Sequence, residues 1–366
     1  MTPLRLAFIG AGGIAGAHSK GILDHPEAFE LVAVCDIHRP AAEEVAARFQ
    51  SEAAIFDTYQ NMFDQMGDKI DGAIVILPHW LHFPAAAACL ERGVPALVEK
   101  PVACSVSEFR QLAALEKKHG CFVQAGQMQR FGAEENWIRQ WLKSDSFGEP
   151  NLFNLDIYQN SENHALPAGK SWILDGKRAG GGIISSVAIH ILDLLRYWLD
   201  DDYAEVFSFG RFDPPFINKA ESTVAATFRT KRGIMGTLNS TYSARRCPYS
   251  QRAVLFGSHG TLYQHLSEPG SAYAGEYYIA SNEGVSDQVW ETQYTGFKPI
   301  AAFMSEPVSP DGVVASFTAQ LFAFAEAIRN GRATENSLER NFNTIAVVEA
   351  IARTLESGKP EMVESL

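Results

Sequence analysis

Through its first third the chain alternates short apolar runs with stretches of helical periodicity. LRLAFIG (4–10), ELVAVCD (30–36), GAIVIL (72–77), PALVEK (95–100) and CFVQAG (121–126) are rich in branched aliphatic residues and bounded by turn formers, as buried strands are. Helical patterns fall between them, around 13–25, 40–49, 80–92 and 105–119. Alternation of this kind predicts an α/β domain over residues 1–125, a doubly wound parallel sheet with helices on both faces. After residue 126 the rhythm changes. A helix pattern (135–144) and a strand pattern (151–159) precede a very apolar helix at 183–199, and strand patterns follow at 205–212, 222–230, 233–243 and 251–258. These predict an α+β domain over 126–366 with a largely antiparallel open sheet. Residues 266–312 read as loop-dominated. Two amphipathic helices, 316–331 and 341–358, close the chain and are placed to pack back toward the first domain.

One of these helices is unusual. In GGGIISSVAIHILDLLRYWL (180–199), Ser186, His190, Asp193 and Tyr197 interrupt the apolar run at steps of four, three and four. At about 3.6 residues per turn those steps put all four on one stripe. A histidine and a carboxylate aligned on a core helix are candidate site residues, against the plainer reading of internally bonded core polar groups.

Composition narrows the partners. The chain has 366 residues, too many for one compact core, so two domains are expected. A net charge of −12 argues against nucleic acid and against an anionic membrane, both of which require basic surface. No run of about 18 apolar residues suggests a membrane span. The opening MTPLRLAFIGAGGIAGAH contains a short apolar stretch, but its periodic glycines read as strand, turn and helix rather than as a leader. Five scattered cysteines without a CxxC pair suit a reducing cytoplasm.

The glycines carry the first chemistry. Gly10, Gly12 and Ala15 form a GxGxxA turn between strand and helix, with Gly13 and Ile14 at the helix start. Such a turn lets backbone approach a pyrophosphate, and the helix N-terminus supplies free N–H groups to it. The second strand ends at Asp36, where a carboxylate accepts ribose hydroxyls and repels a 2′-phosphate. NAD is therefore expected over NADP, with Ile37 and Arg39 beside it and Arg39 softening the preference. The remaining expected cofactor contacts are strand-tip residues: Leu77, Pro78, His79 and His82 at the end of the 72–77 run and just after it, and Glu99 and Lys100 at the end of the 95–100 run. His79 and His82 lack a third ligand nearby, so no metal is expected. A cation at Lys100 suits stabilisation of a developing alkoxide.

Together GAGGIAGAH, CDIHRPAAEEVAARF, LPHWLH, VEKPV, QRF (129–131) and SWILDGKRAGGG leading into IHILDLLRYWL resemble the Gfo/Idh/MocA oxidoreductases over nearly the whole chain. The resemblance implies an N-terminal Rossmann domain and a C-terminal α/β domain whose open sheet serves oligomerisation, giving a homodimer or homotetramer. It implies NAD(P)-dependent hydride transfer to or from a sugar or polyol hydroxyl carbon, with Lys100 and His190 catalytic. Asp193, Arg130 and Trp172 match substrate-lining positions, and the Lys100–Pro101 peptide matches one often cis in relatives. Ser186 stands where many relatives carry an aspartate, and Ala188 where glycine is usual; Ser186 is expected to bond substrate or imidazole without supplying charge. Two other outcomes fit the same family: redox-assisted elimination of a glycoside, and a non-catalytic sugar- or dinucleotide-sensing role. The polar loops at 160–180 and 240–300, including Arg245 and Arg246, are expected to set the substrate.

Overall fold

The computed structural model describes residues 2–49, 52–160, 171–245, 247, 249–267, 274–281, 298–304, 313–332 and 335–366, and the structural statements below concern these. Arg246 and residues 161–170 of the expected substrate loops lie outside them.

The apolar runs of the first third become parallel strands because both faces of each are covered. β1 (Leu4–Ile9), β2 (Phe29–Cys35), β4 (Gly72–Val75), β5 (Ala96–Glu99) and β6 (Val123–Gly126) are joined by β3 (Ala54–Phe56) in a six-stranded sheet ordered β3-β2-β1-β4-β5-β6. Helices α1 (Ala15–Asp24), α2 (Arg39–Ala46), α3 (Tyr59–Met66), α4 (His82–Glu91) and α5 (Val106–His119) connect the strands. β3 and α3 are additions to the sequence reading. β3 is a three-residue edge strand with only Phe56 buried, too short to show a period. α3 announces itself only through Thr58, whose side chain caps the Asn61 N–H. Strand order reverses between β1 and β4, so a crevice opens beyond their carboxyl ends.

The helix Val313–Asn330 returns to this domain. Its Leu321 and Phe324 share a buried cluster with Leu6, Phe8, Ile22 and Ile74. The last helix, Leu338–Ser357, packs on the second sheet and on α5.

That second sheet has nine strands among the described residues, ordered β14-β13-β12-β11-β7-β10-β9-β8-β15. They are β7 (Pro150–Tyr158), β8 (Tyr203–Arg211), β9 (Thr223–Thr230), β10 (Met235–Thr241), β11 (Ser250–Gly257), β12 (Gly260–Ser267), β13 (Ala274–Ser281), β14 (Lys298–Pro299) and β15 (Glu361–Met362). Only β7 and β10 pair in parallel. Alternation is plain on β9, where Val224, Ala226 and Phe228 face the core and Ala225, Thr227 and Arg229 face out. β13 and β14 correct the loop reading of 266–312. β12, which pairs with β13, also escapes the sequence reading, because it places the polar Gln264 on the buried face and so masks its apolar alternation.

The apolar helix lies against this sheet. Gly176–Leu199 is, against expectation, long and apolar enough to cross a membrane by length and composition, but 89% of its apolar window is buried inside the molecule. Its apolar faces are covered by the protein's own core. It is not one regular helix: Ile184–Ala188 is π-helical and Ile189–Leu199 is α-helical.

Candidate active site

The glycine turn meets the steric demands that its spacing implies. Gly10 has φ +104°, and a Cβ there would sit 2.0 Å from the Ile76 carbonyl oxygen. At Gly12 a Cβ would meet nothing nearer than that same oxygen at 3.9 Å, so the backbone faces open space. No side chain caps α1 and no acidic residue occupies its first turn, which leaves its amides for an anion. Asp36 buttresses the turn from β2: its carboxylate accepts the Ala11 N–H at 2.7 Å and the His38 N–H at 2.8 Å. Ile37, 92% exposed, stands beside it. Arg39 pairs with Glu43 and Asp57 at the surface. These residues fit a dinucleotide whose pyrophosphate lies at α1 and whose ribose reaches Asp36.

The tips of β4 and β5 form the next wall. Glu99 ends β5 with both oxygens engaged, one by His18 Nε2 at 2.9 Å and the other by the Lys100 backbone N–H at 3.2 Å. Burial opposes its charge, yet His18 and the nearby Lys100 ammonium together hold its carboxyl below the ordinary range. The Lys100–Pro101 peptide is cis. From there Lys100 Nζ crosses to the second domain and donates to the Ser186 carbonyl at 2.5 Å. That carbonyl lies within the π-helical turn, a distortion common where helices meet function.

A cavity of about 420 Å³ joins these parts. Gly12, Gly13, Ile14, Leu77, Pro78, Glu99 and Lys100 line one end; Trp172, Ser186, His190, Tyr242 and Gln159 line the other. His79 sits between, its Nδ1 donating to the Ala179 carbonyl and its ring edge-on to Trp172 at 4.6 Å. Burial, then the positive charge of Lys100 and the neighbouring His79, push His190 well below its ordinary 6.5. The imidazole is therefore neutral at neutral pH, with Nδ1 lacking any protein partner. Gln159 Oε1 is likewise buried without a hydrogen bond among the described residues, and Ser186 Oγ and the Tyr242 hydroxyl are buried beside each other with no further partner there. Polar atoms left without a full partner on four residues of one cavity lining are rare in a folded chain and call for a polar occupant.

Four expected site residues are placed differently. Asp193 does not face the cavity. It is buried in a bidentate pair with Arg130, at 2.7 and 2.6 Å, and also accepts from Thr344 at 2.6 Å. Arg130 is thereby turned away as well, with its last contact to the Glu335 carbonyl. The axial rise explains this: at about 1.5 Å per residue, Asp193 lies roughly 10 Å down the helix from Ser186, past the reach of the cavity. Tyr197, further along, donates to Asn136 at 2.5 Å. His82 lines the cavity but has its two ring nitrogens against the Pro101 and Leu77 carbonyls, so it braces strand tips rather than facing a ribose. Among the described residues no group of three or more His, Cys, Asp or Glu is placed to hold a metal ion.

The structure also adds lining residues. Gln129 faces the cavity where its neighbour Arg130 was expected, tied amide to amide with Gln251 at 3.3 Å. Tyr242 and Tyr249 come from the expected substrate segment after β10. Gln159 and Phe317 carry no signal in sequence, because β7 and the Val313–Asn330 helix reach the site only through tertiary folding. A larger cleft of about 570 Å³ opens at the far end of the apolar helix, among paired residues such as Arg196 with Asp202 and Arg340 with Glu335. It touches neither the glycine turn nor Lys100.

Comparison with known proteins agrees with the geometry. The family model described as "Oxidoreductase family, NAD-binding Rossmann fold" matches residues 4–127, and the "GFO/IDH/MocA C-terminal domain" model matches residues 136–263. The scyllo-inositol 2-dehydrogenase (NAD(+)) of Bacillus subtilis is 26% identical over 284 residues, 74% of this chain and 79% of that protein. The inositol 2-dehydrogenase of Rubrobacter xylanophilus is 22% identical over 367 residues, 99% of this chain and 94% of that protein. A levoglucosan dehydrogenase solved with NADH and levoglucosan has the same fold, with a TM-score of 0.86 at 18% identity over 100% of both chains. With its dinucleotide turn, its strand-tip lysine and both domain models matched in order, the chain belongs to the Gfo/Idh/MocA family of NAD-binding oxidoreductases.

Proposed function

We propose that the protein is an NAD-dependent dehydrogenase that oxidises a secondary hydroxyl of a sugar or polyol, or reduces the matching ketone. The observation that carries this reading is that His190, Ser186, Tyr242 and Gln159, each with a buried polar atom left without a full partner among the described residues, line the same cavity as Lys100. A polyol answers them all, because each hydroxyl both donates and accepts. Bound NAD supplies the hydride acceptor. Neutral His190 takes the hydroxyl proton, and Lys100 polarises the same oxygen as its O–H bond breaks. Trp172 and Tyr249 give the sugar ring apolar walls. In the reverse direction His190 returns the proton. The inositol dehydrogenases named above support this substrate class.

The test is a panel of inositols, aldoses and anhydrosugars with NAD and NADP, followed by NADH absorbance and product chromatography. NADH formation with NAD in preference to NADP is expected, since Asp36 opposes a 2′-phosphate. NAD binding without turnover across the panel would overturn the reading in favour of a sensor. Release of an aglycone with no net NADH would overturn it in favour of redox-assisted elimination.

The buried histidines set the pH behaviour. Oxidation requires neutral His190, so its rate falls only as pH drops through the depressed value, and the acid limb of kcat/KM should lie below 6.5. Stability follows the same sign. His79 and His190 titrate lower folded than unfolded, so the unfolded chain binds more protons in acid. Their contribution is present above about pH 6.5 and is lost as pH falls, measurable as a lower denaturant midpoint on the acid side. Ser186→Asp should raise the acid limb by placing a carboxylate one turn before His190; an unmoved profile would show that position 186 does not address the imidazole.

The outer face of the second sheet exposes Phe209 (71%) and Met235 (57%), and a homodimer or homotetramer joined there would cover them. Sedimentation of the wild type and a Phe209→Lys, Met235→Lys variant tests that assembly. The five free thiols suit a cytoplasmic setting.

A further inference from the structure

A second buried carboxylate stands behind the site, and neither the cofactor nor the substrate reading uses it. Glu221, at the entry to β9, is buried, and its Oε1 accepts the Ile184 N–H at 2.9 Å. Ile184 is the first residue of the π-helical turn, so this oxygen satisfies an amide that no residue of the helix itself caps. The backbone of Glu221 holds the same place: its carbonyl accepts the Ile183 N–H at 3.0 Å. Gly182 lies so close that a Cβ would sit 2.1 Å from that carbonyl oxygen. The next residue ties in the opposite wall, for the Ser222 carbonyl accepts the Tyr242 N–H at 2.8 Å. Residues 221–222 are therefore the common anchor for the turn carrying Ser186 and His190 and for Tyr242.

The π-helical turn matters because the Ser186 carbonyl within it receives Lys100 Nζ. An extra residue in one turn rotates everything after it by about 100° relative to an α-helix, so its register decides where the imidazole points. We propose that Glu221 is a positioning residue for the reaction: its carboxylate oxygen pins the start of the π-helical turn and so fixes the Lys100–Ser186 contact and the aim of His190. The inference rests on the dehydrogenase reading for the roles of Lys100 and His190. Glu221 itself is not among the residues lining the cavity.

Hydride transfer tolerates little misplacement, so a small shift of this turn is enough to slow turnover. The experiment compares Glu221→Ala and Glu221→Gln, with kcat expressed per NADH-binding site measured by fluorescence titration. The Ala variant should bind NADH within about twofold of wild type, because the dinucleotide turn is remote, and lose about tenfold or more in kcat. The Gln variant, whose amide oxygen still accepts from Ile184, should restore kcat to within about threefold. A purely structural role would reduce the number of NADH-binding sites and leave kcat per site unchanged, which would overturn the inference. Equal loss in Gln and Ala would also overturn it, by making charge rather than the acceptor oxygen decisive. If the Ala variant does not fold, Glu221→Asp, one methylene too short to reach Ile184, replaces it with the same expected loss. Failure of the wild type to oxidise any polyol is a separate result and counts against the dehydrogenase reading itself.

Discussion

Lys100→Met is expected to lower kcat/KM for polyol oxidation by about a thousandfold while NADH binding changes by no more than a few fold. Methionine keeps the length and apolar stem of lysine, so the strand tip and its cis peptide remain packed. It removes the only side-chain cation on the described lining of the cavity, and with it the donor that holds the developing alkoxide. Glu99 stays engaged by His18 and by the backbone N–H of residue 100, so its carboxylate does not swing into the space. A second readout separates this role from a structural one. Lys100 helps hold the His190 pKa down, behind burial itself. Removing its charge should move the acid limb of the residual activity upward, toward the ordinary histidine value. A Met variant with near-normal turnover, or with an unmoved acid limb, would remove Lys100 from the chemistry. His190→Ala should cost about 10²–10⁴-fold, the usual size of a lost general base, again without loss of NADH binding.

The parts of this machinery differ in how far the chain announces them. The dinucleotide half is local, and its strands other than the three-residue β3, its glycine turn and Asp36 are legible as runs and spacings. Lys100 is legible because an apolar strand followed by a proline fixes its position. The substrate half is not. Ser186 and His190 are readable as polar breaks in an apolar helix, but the same periodicity names Asp193 and Tyr197, which lie on the stripe beyond the end of the cavity. Periodicity gives azimuth and carries no information about depth. The π-helical turn, Gln159 just after β7 and Glu221 just before β9 depend on contacts between segments far apart in sequence, and no spacing rule reaches them. Gln129 and Arg130 show the limit at single-residue scale: the QRF segment marks the place, while tertiary packing decides which neighbour faces the ligand.

Asp193→Ala is expected to act on stability rather than on substrate affinity. The carboxylate sits in a buried bidentate pair with Arg130 and receives Thr344 as well, with Arg196 at 3.8 Å. Removing it strands a guanidinium that is itself buried, a change that costs about 3–5 kcal/mol because the remaining charge keeps its desolvation penalty and loses its partner. Thermal or denaturant unfolding should therefore shift strongly, while KM for the polyol in the surviving folded enzyme changes less than about threefold. A paired replacement, Arg130→Met with Asp193→Leu, should recover much of the lost stability, since apolar residues of similar volume often replace a buried ion pair at little cost. A residue that held substrate hydroxyls would show the opposite pattern: KM would rise at an unchanged melting temperature, and the paired replacement would bring no rescue. The two outcomes are well separated, because the Arg130–Asp193 pair joins the helix bearing His190 to the segment bearing Gln129. The helix needs that anchor below the cavity as it needs Glu221 above it, and the active-site turn lies between the two.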